Sequence, residues 1–137
     1  MAEVADISRL RDLFRDVADA LDVAPPTDDD EEFGLEFPFE EGTSKMVNAF
    51  VDDDDGEAWV MIYSVFGKVE DLDPVNLLER NFSPGYTFIA VDQGDAMVCA
   101  SYPLDDLDAE SLEALLGDVA SWADALETED GDEEEEE

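Results

Sequence analysis

The 137-residue chain has no histidine, a single cysteine and six basic residues, only two of them lysines (Lys45 and Lys68). The missing histidine removes the commonest general base and the commonest metal ligand. A single cysteine excludes an intrachain disulfide. Cys99 lies in the apolar run Ala96-Met97-Val98-Cys99-Ala100. With no histidine to activate it, it reads as a small core residue and not as a nucleophile. The serines form no nucleophile elbow, and neither glycine-rich phosphate-loop pattern occurs. These gaps predict a protein that is not an enzyme and takes no cofactor. No apolar run reaches the length of a membrane span. The opening MAEVADISRL has no basic region followed by an apolar one. The expectation is therefore no signal peptide and a cytoplasmic location.

What the chain has in excess is acid. Aspartate and glutamate number 41, for a formal charge of −35. Such self-repulsion opposes a compact state in dilute buffer. Salt relieves it, since the Debye length is about 3 Å at 1 M. Acid spread through the whole chain, with lysine nearly absent, predicts a protein of an organism that keeps molar salt inside the cell. An ordinary acidic regulatory protein, which usually concentrates its acid in a tail, is the plainer alternative. The charge argues against nucleic acid, which needs a basic face, and against anionic lipid. Hydrophobic residues make up 45% of the chain, too many for a disordered one.

Asp52-Asp53-Asp54-Asp55-Gly56 invites a calcium test, because hard cations want clustered oxygens. With Gly56 at the sixth position of an EF-hand loop, Val51 and Ile62 fall at the first and twelfth. Neither can ligate, so the run reads as an acidic hairpin tip and no metal is expected.

Val4, Ile7, Leu10, Phe14, Val17 and Leu21 recur at steps of three and four, which predicts a helix ended by Pro25 and Pro26. Asp28 to Glu32 reads as a solvated loop. Phe33, Leu35, Phe37 and Phe39 alternate with Gly34, Glu36 and Pro38, a strand with one buried face; Pro38 places it at a sheet edge. Strands at Lys45 to Val51 and Ala58 to Phe66 follow, joined across Asp55-Gly56. Asp73-Pro74 opens a second helix that Ser83-Pro84-Gly85 stops. Tyr86 to Val91 and Ala96 to Tyr102 are two further strands. Asp108 caps a last helix with Leu112, Leu115, Leu116, Val119, Trp122 and Leu126 on one face. The prediction is an α+β, two-layer fold in the order α-β-β-β-α-β-β-α, with a mostly antiparallel five-stranded sheet. One domain spans residues 1–127, and 128–137 is a disordered acidic tail.

Apolar surface is the remaining functional signal. Trp59-Val60-Met61-Ile62-Tyr63 is apolar on both faces of its strand. Trp59, Met61, Tyr63 and Val65 share one face, and Val60, Ile62, Ser64 and Phe66 the other. Helices cover one set; the other meets a partner. Aromatics with polar edges favour interfaces, so Trp59, Met61 and Tyr63 are the candidate partner-binding residues. Phe50, Phe66 and Met46 belong to the same apolar stock, and the first helix adds Leu10 and Phe14 as candidates. The plain reading is that a third helix or a dimer mate covers the face; a client surface is the other.

In element order the chain resembles the YbjN and type III secretion chaperone-like superfamily. The similarity is greatest where Asn76-Leu77-Leu78-Glu79-Arg80-Asn81 precedes the Tyr86 to Asp92 and Ala96 to Leu104 strands, and where Asp108-Ala109-Glu110-Ser111-Leu112 opens the closing helix. The resemblance implies a small, acidic, often homodimeric protein without catalysis that holds an extended segment of a protein client on apolar patches. No client-contacting residue carries over with it. The expected function is a non-catalytic, chaperone- or adaptor-like protein-binding module adapted to high salt, with a client or itself as partner. A regulatory subunit modulating an enzyme or signalling complex is the alternative.

Overall fold

The computed structural model describes residues 4–24, 26–29, 32–39, 42–54, 57–73, 75, 79 and 87–136. Helix α1 spans Val4–Leu21 and helix α2 Ala109–Glu136. Between them lie β1 (Thr27–Asp29), β2 (Glu32–Pro38), β3 (Ser44–Asp54), β4 (Glu57–Lys68), β5 (Thr87–Asp92) and β6 (Asp95–Pro103). Short 3-10 turns at Val69–Asp71 and Leu104–Asp106 lead out of β4 and into α2. The sheet order is β1-β2-β3-β4-β6-β5, and every pairing is antiparallel.

The five expected strands are all present, and three-residue β1 adds a short edge. It lies in the acidic run read as a solvated loop. Its charges gave no strand signal; pairing of Thr27 with Gly34 and of Asp29 with Glu32 makes it one. Glu32, assigned to the same loop, is instead the first residue of β2. Most of the predicted second helix lies outside the described residues. Val75 and Glu79 are helical, and the Val75 amide donates to Asp73 Oδ1 at 3.1 Å, the capping contact expected of that aspartate. The Asp55-Gly56 tip is also outside the described residues, while Asp54 and Glu57 pair beside it.

Helix α1 stops before its prolines. Asp22 takes the left-handed conformation (φ 56°), the Val23 amide donates to the Ala18 carbonyl at 3.1 Å, and the Asp22 amide to the Asp19 carbonyl at 3.2 Å. This is a Schellman ending with aspartate where glycine is usual. Helix α2 starts as predicted, with Ser111 N–H donating to Asp108 Oδ1 at 2.7 Å. That bond holds the exposed Asp108 carboxyl below its ordinary range. The α2 backbone continues to Glu136, through the stretch whose composition predicts disorder, while its last buried apolar residue is Leu126.

Both helices pack on the same side of the sheet. Leu10, Phe14 and Val17 of α1 and Leu112, Leu116, Val119 and Ala123 of α2 meet Phe33, Leu35, Val47, Val60, Ile62, Val98 and Ala100. Fully burying one such large side chain contributes about 1.5–3 kcal/mol. Phe14 and Phe33 pack with ring centroids 6.0 Å apart, and Arg11 sits over the Phe33 ring at 5.4 Å. Arg9 donates to the Leu107 carbonyl at 3.0 Å, tying α1 to the start of α2. Ser64, the buried polar side chain of this layer, donates to the Met46 carbonyl at 2.8 Å, just past the Asn48–Tyr63 end of the β3–β4 ladder.

Candidate partner-binding face

With α1 and α2 on one side, each strand turns one set of side chains to them and the other to the opposite face, which no helix or strand among the described residues covers. On β4 the inward set is Val60, Ile62, Ser64 and Phe66, all buried. The outward set is Trp59, Met61 and Tyr63, half-buried, and Val65, 40% exposed. Three of the five candidate residues thus share the uncovered face.

The other two do not. Leu10 and Phe14 are each 0% exposed, packed between α1 and the sheet, so they serve the core and cannot meet a partner. The apolar face of α1 turns inward because it is what covers the sheet. Phe66 is likewise a core residue at 5% exposure. A register shift between Val65 and Gly67 in the β4–β6 ladder precedes the end of the strand.

The uncovered face is hollowed into an open groove of about 450 Å³. Phe50, Met61, Tyr63 and Val65 form one side, and Phe88, Ala90, Met97 and Cys99 the other. Glu32 stands on the β2 side, and Asp92, Gln93 and Asp95 belong to the β5–β6 hairpin. The register explains the assembly: Phe50 lies opposite Met61, Tyr63 opposite Cys99, and Cys99 opposite Phe88. Phe50 and Tyr63 meet edge to face at 6.3 Å. Trp59 is on the same face beyond the groove, between Asp52 and Pro103. A shallower hollow of about 330 Å³ lies beside it, over Glu36, Ser44, Lys45, Met46, Asn48 and Val65.

Polar groups fix parts of this face. Tyr63 Oη donates to Glu32 Oε1 at 2.5 Å. Burial first, then the bond to Glu32, and then the negative charges of Glu32 and Asp92 raise the phenol pKa well above its usual value. Burial pushes the Cys99 thiol up to about 11, so it is a neutral, unreactive part of the groove wall at neutral pH. The β5–β6 turn has positive φ at both central residues, Gln93 (51°) and Gly94 (86°), the two-residue turn that suits strand twist. The Val69 amide donates to the Gly94 carbonyl at 2.9 Å, and Lys68 Nζ lies 3.8 Å from Asp95, so the tip is anchored. On β2, a Cβ at Gly34 would stand 2.7 Å from Thr27 Oγ1 and 2.8 Å from Asn48 Oδ1, so glycine lets β1 and β3 close in there.

Sequence reasoning named Phe50, Met61 and Tyr63 but passed over Phe88, Met97 and Glu32. Alternation within Tyr86 to Val91 and Ala96 to Tyr102 held the first two; pairing across strands reveals the third.

Comparison with known proteins follows the fold. No curated protein matches the chain's sequence. Among solved structures, the HopA1–SchA chaperone–effector complex superposes with a TM-score of 0.68 at 13% identity, covering 93% of this chain and 99% of the other. The ExsC–ExsE complex gives 0.65 at 16% identity, covering 89% and 93%. The Yersinia pestis type III secretion chaperone SycH, in complex with a stable fragment of YscM2, gives 0.61 at 13% identity, covering 85% and 98%. At these identities the likeness concerns the fold. A profile of the Tir chaperone protein (CesT) family matches residues 13–126, from the middle of α1 to the last buried leucine of α2. The chain belongs to the Tir chaperone protein (CesT) family.

Proposed function

We propose that this protein is a non-catalytic chaperone that holds a segment of a client protein in the groove on its uncovered sheet face, in a cytoplasm of molar salt. The observation that carries the reading is the groove itself. Phe50, Met61, Tyr63 and Met97 line a hollow of about 450 Å³ on the side of the sheet opposite both helices. Contiguous apolar surface of this kind marks interaction sites. Among the structural neighbours, one is described as a chaperone–effector complex and another as a secretion chaperone bound to a protein fragment, which supports a protein segment as cargo. A homodimer belongs to the same reading, each copy offering its own groove. The charge of −35 supports the high-salt setting.

Affinity capture in molar potassium chloride, with the parent chain and a Met61→Glu variant, tests it. A carboxylate amid the groove's apolar wall opposes apolar cargo while Met61, being half-buried, leaves the core intact. The expected result is recovery of few proteins, each through a short segment that protease trimming defines, and their loss with a folded Met61→Glu. One full-length protein recovered in a fixed stoichiometric complex points instead to a regulatory subunit. Equal recovery by both chains rules out the groove.

A further inference from the structure

The groove is apolar in its walls and acidic at its borders. Of its twelve lining residues three are carboxylates and none is Lys or Arg. Asp95 already has Lys68 at 3.8 Å, whereas Glu32 and Asp92 have no cationic partner among the described residues. Glu32 accepts the Tyr63 hydroxyl beside the apolar wall. Asp92 stands across the face on the β5–β6 hairpin, close enough for its charge to act on the Tyr63 hydroxyl.

A second copy of the chain fits this face poorly. A twofold interface sets a patch against itself. It would set the acidic border holding Glu32 and Asp92 against the same acidic border of the other copy, in a chain carrying −35. Salt screens charges across water, but carboxylates pressed into a shared apolar contact lose water as well as gaining a like-charged neighbour. A partner with basic residues removes both costs, and like-charge juxtaposition deters partners without them.

Resting on the chaperone reading above, we infer that the groove selects a peptide segment with a short apolar centre bracketed by Lys or Arg, the centre on Met61 and Phe88 and the basic ends on Glu32 and Asp92. Apolar contact supplies the hold; the two carboxylates select among apolar segments. The basic segment also approaches a strongly negative molecule, so its association rate falls as salt rises.

The test uses three eight-residue peptides with the same Leu-Ile-Val-Leu centre, flanked at each end by two arginines, two serines or two glutamates. Fluorescence anisotropy in 1 M potassium chloride measures affinity for the full chain, and amide shift mapping locates the site. The expected order is arginine, serine, glutamate, with about tenfold or more between the first and last. A Glu32→Gln, Asp92→Asn double variant should bring the three together without losing the serine peptide. Equal binding of all three at the groove overturns the basic-flank selection and leaves the chaperone reading standing. Shifts that map away from Met61, Tyr63 and Met97, or no binding at all, overturn both. A dimer in sedimentation that Met61→Glu dissociates assigns the groove to a second copy and overturns this inference too.

Discussion

Asp22 is a position where one atom group decides a measurable quantity. An L-residue in the left-handed region crowds its Cβ against the following carbonyl, and glycine does not. Asp22 holds φ 56° inside a complete Schellman hydrogen-bond pair. Asp22→Gly should therefore raise unfolding free energy by about 0.5–1 kcal/mol, read as a higher denaturant midpoint in molar salt. Cys99 makes a prediction in pH. Its folded value of about 11 lies above the ordinary value of a thiol, because burial penalises the thiolate. The unfolded chain thus loses its proton first, so stability falls as pH rises from about 9 to about 11, by roughly 2–3 kcal/mol at most. Tyr63 adds a decline in the same direction above its ordinary value. Chemical denaturation across this range should show a shallower fall for Cys99→Ala than for the parent; parallel curves would assign the fall elsewhere. Of these residues the sequence showed Cys99 as an apolar neighbour, from the run around it. It did not show Asp22, because a left-handed aspartate has no local signature, nor the need for Gly34, which arises from Thr27 and Asn48 on two other strands.

At the scale of the elements, period and capping residues made most of the fold legible. The step of three and four put Ile7, Leu10, Phe14 and Val17 on the buried side of α1, and Asp108 marked the start of α2. Strand alternation separated Trp59, Met61 and Tyr63 from Val60 and Ile62, which is the division between the open and covered faces. What alternation cannot give is which strands become neighbours. The order β4-β6-β5 brings Met97, Cys99 and Phe88 beside Met61 and Tyr63, and so creates the groove. The same ignorance of partners left Leu10 and Phe14 as site candidates, since an apolar helix face looks alike whether it meets a sheet or a stranger. Position on the face now orders two substitutions. Met61→Glu, inside the groove, should weaken client capture more than Trp59→Ser, which lies beyond its wall, with both proteins folded by circular dichroism. Capture lost equally in both would move the binding surface towards the Trp59 end of β4. The end of α2 gives a further contrast. Leu126 is its last buried apolar residue, and Glu127 pairs with Lys45 of β3. We propose that residues 128–137 add nothing to the core. Their removal should shift the melting temperature in molar salt by less than about 2 °C. A larger fall would mean that the segment docks on the folded domain.

For the molecule as a whole, we propose that charge sets the conditions under which the fold exists. Forty-one acidic residues face six basic ones, and among the described residues no charged side chain is buried, so the charges repel through water. At 1 M salt the Debye length is about 3 Å and each carboxylate acts on little beyond its neighbours; at 0.1 M it is about 10 Å and repulsion spans adjacent elements. Unfolding separates the charges, so low salt favours the unfolded chain. Circular dichroism should show a cooperative loss of helix and sheet as potassium chloride falls from molar to about 0.1 M. Two controls tie the loss to charge. Removing residues 128–137 deletes eight acidic residues, so that chain should keep its structure to lower salt. Lowering the pH of the unfolded chain to about 4.5 at 0.1 M salt protonates part of its carboxylates and should return signal. A spectrum unchanged down to 0.1 M would overturn the high-salt reading and leave an acidic CesT-family chaperone that needs no special solvent.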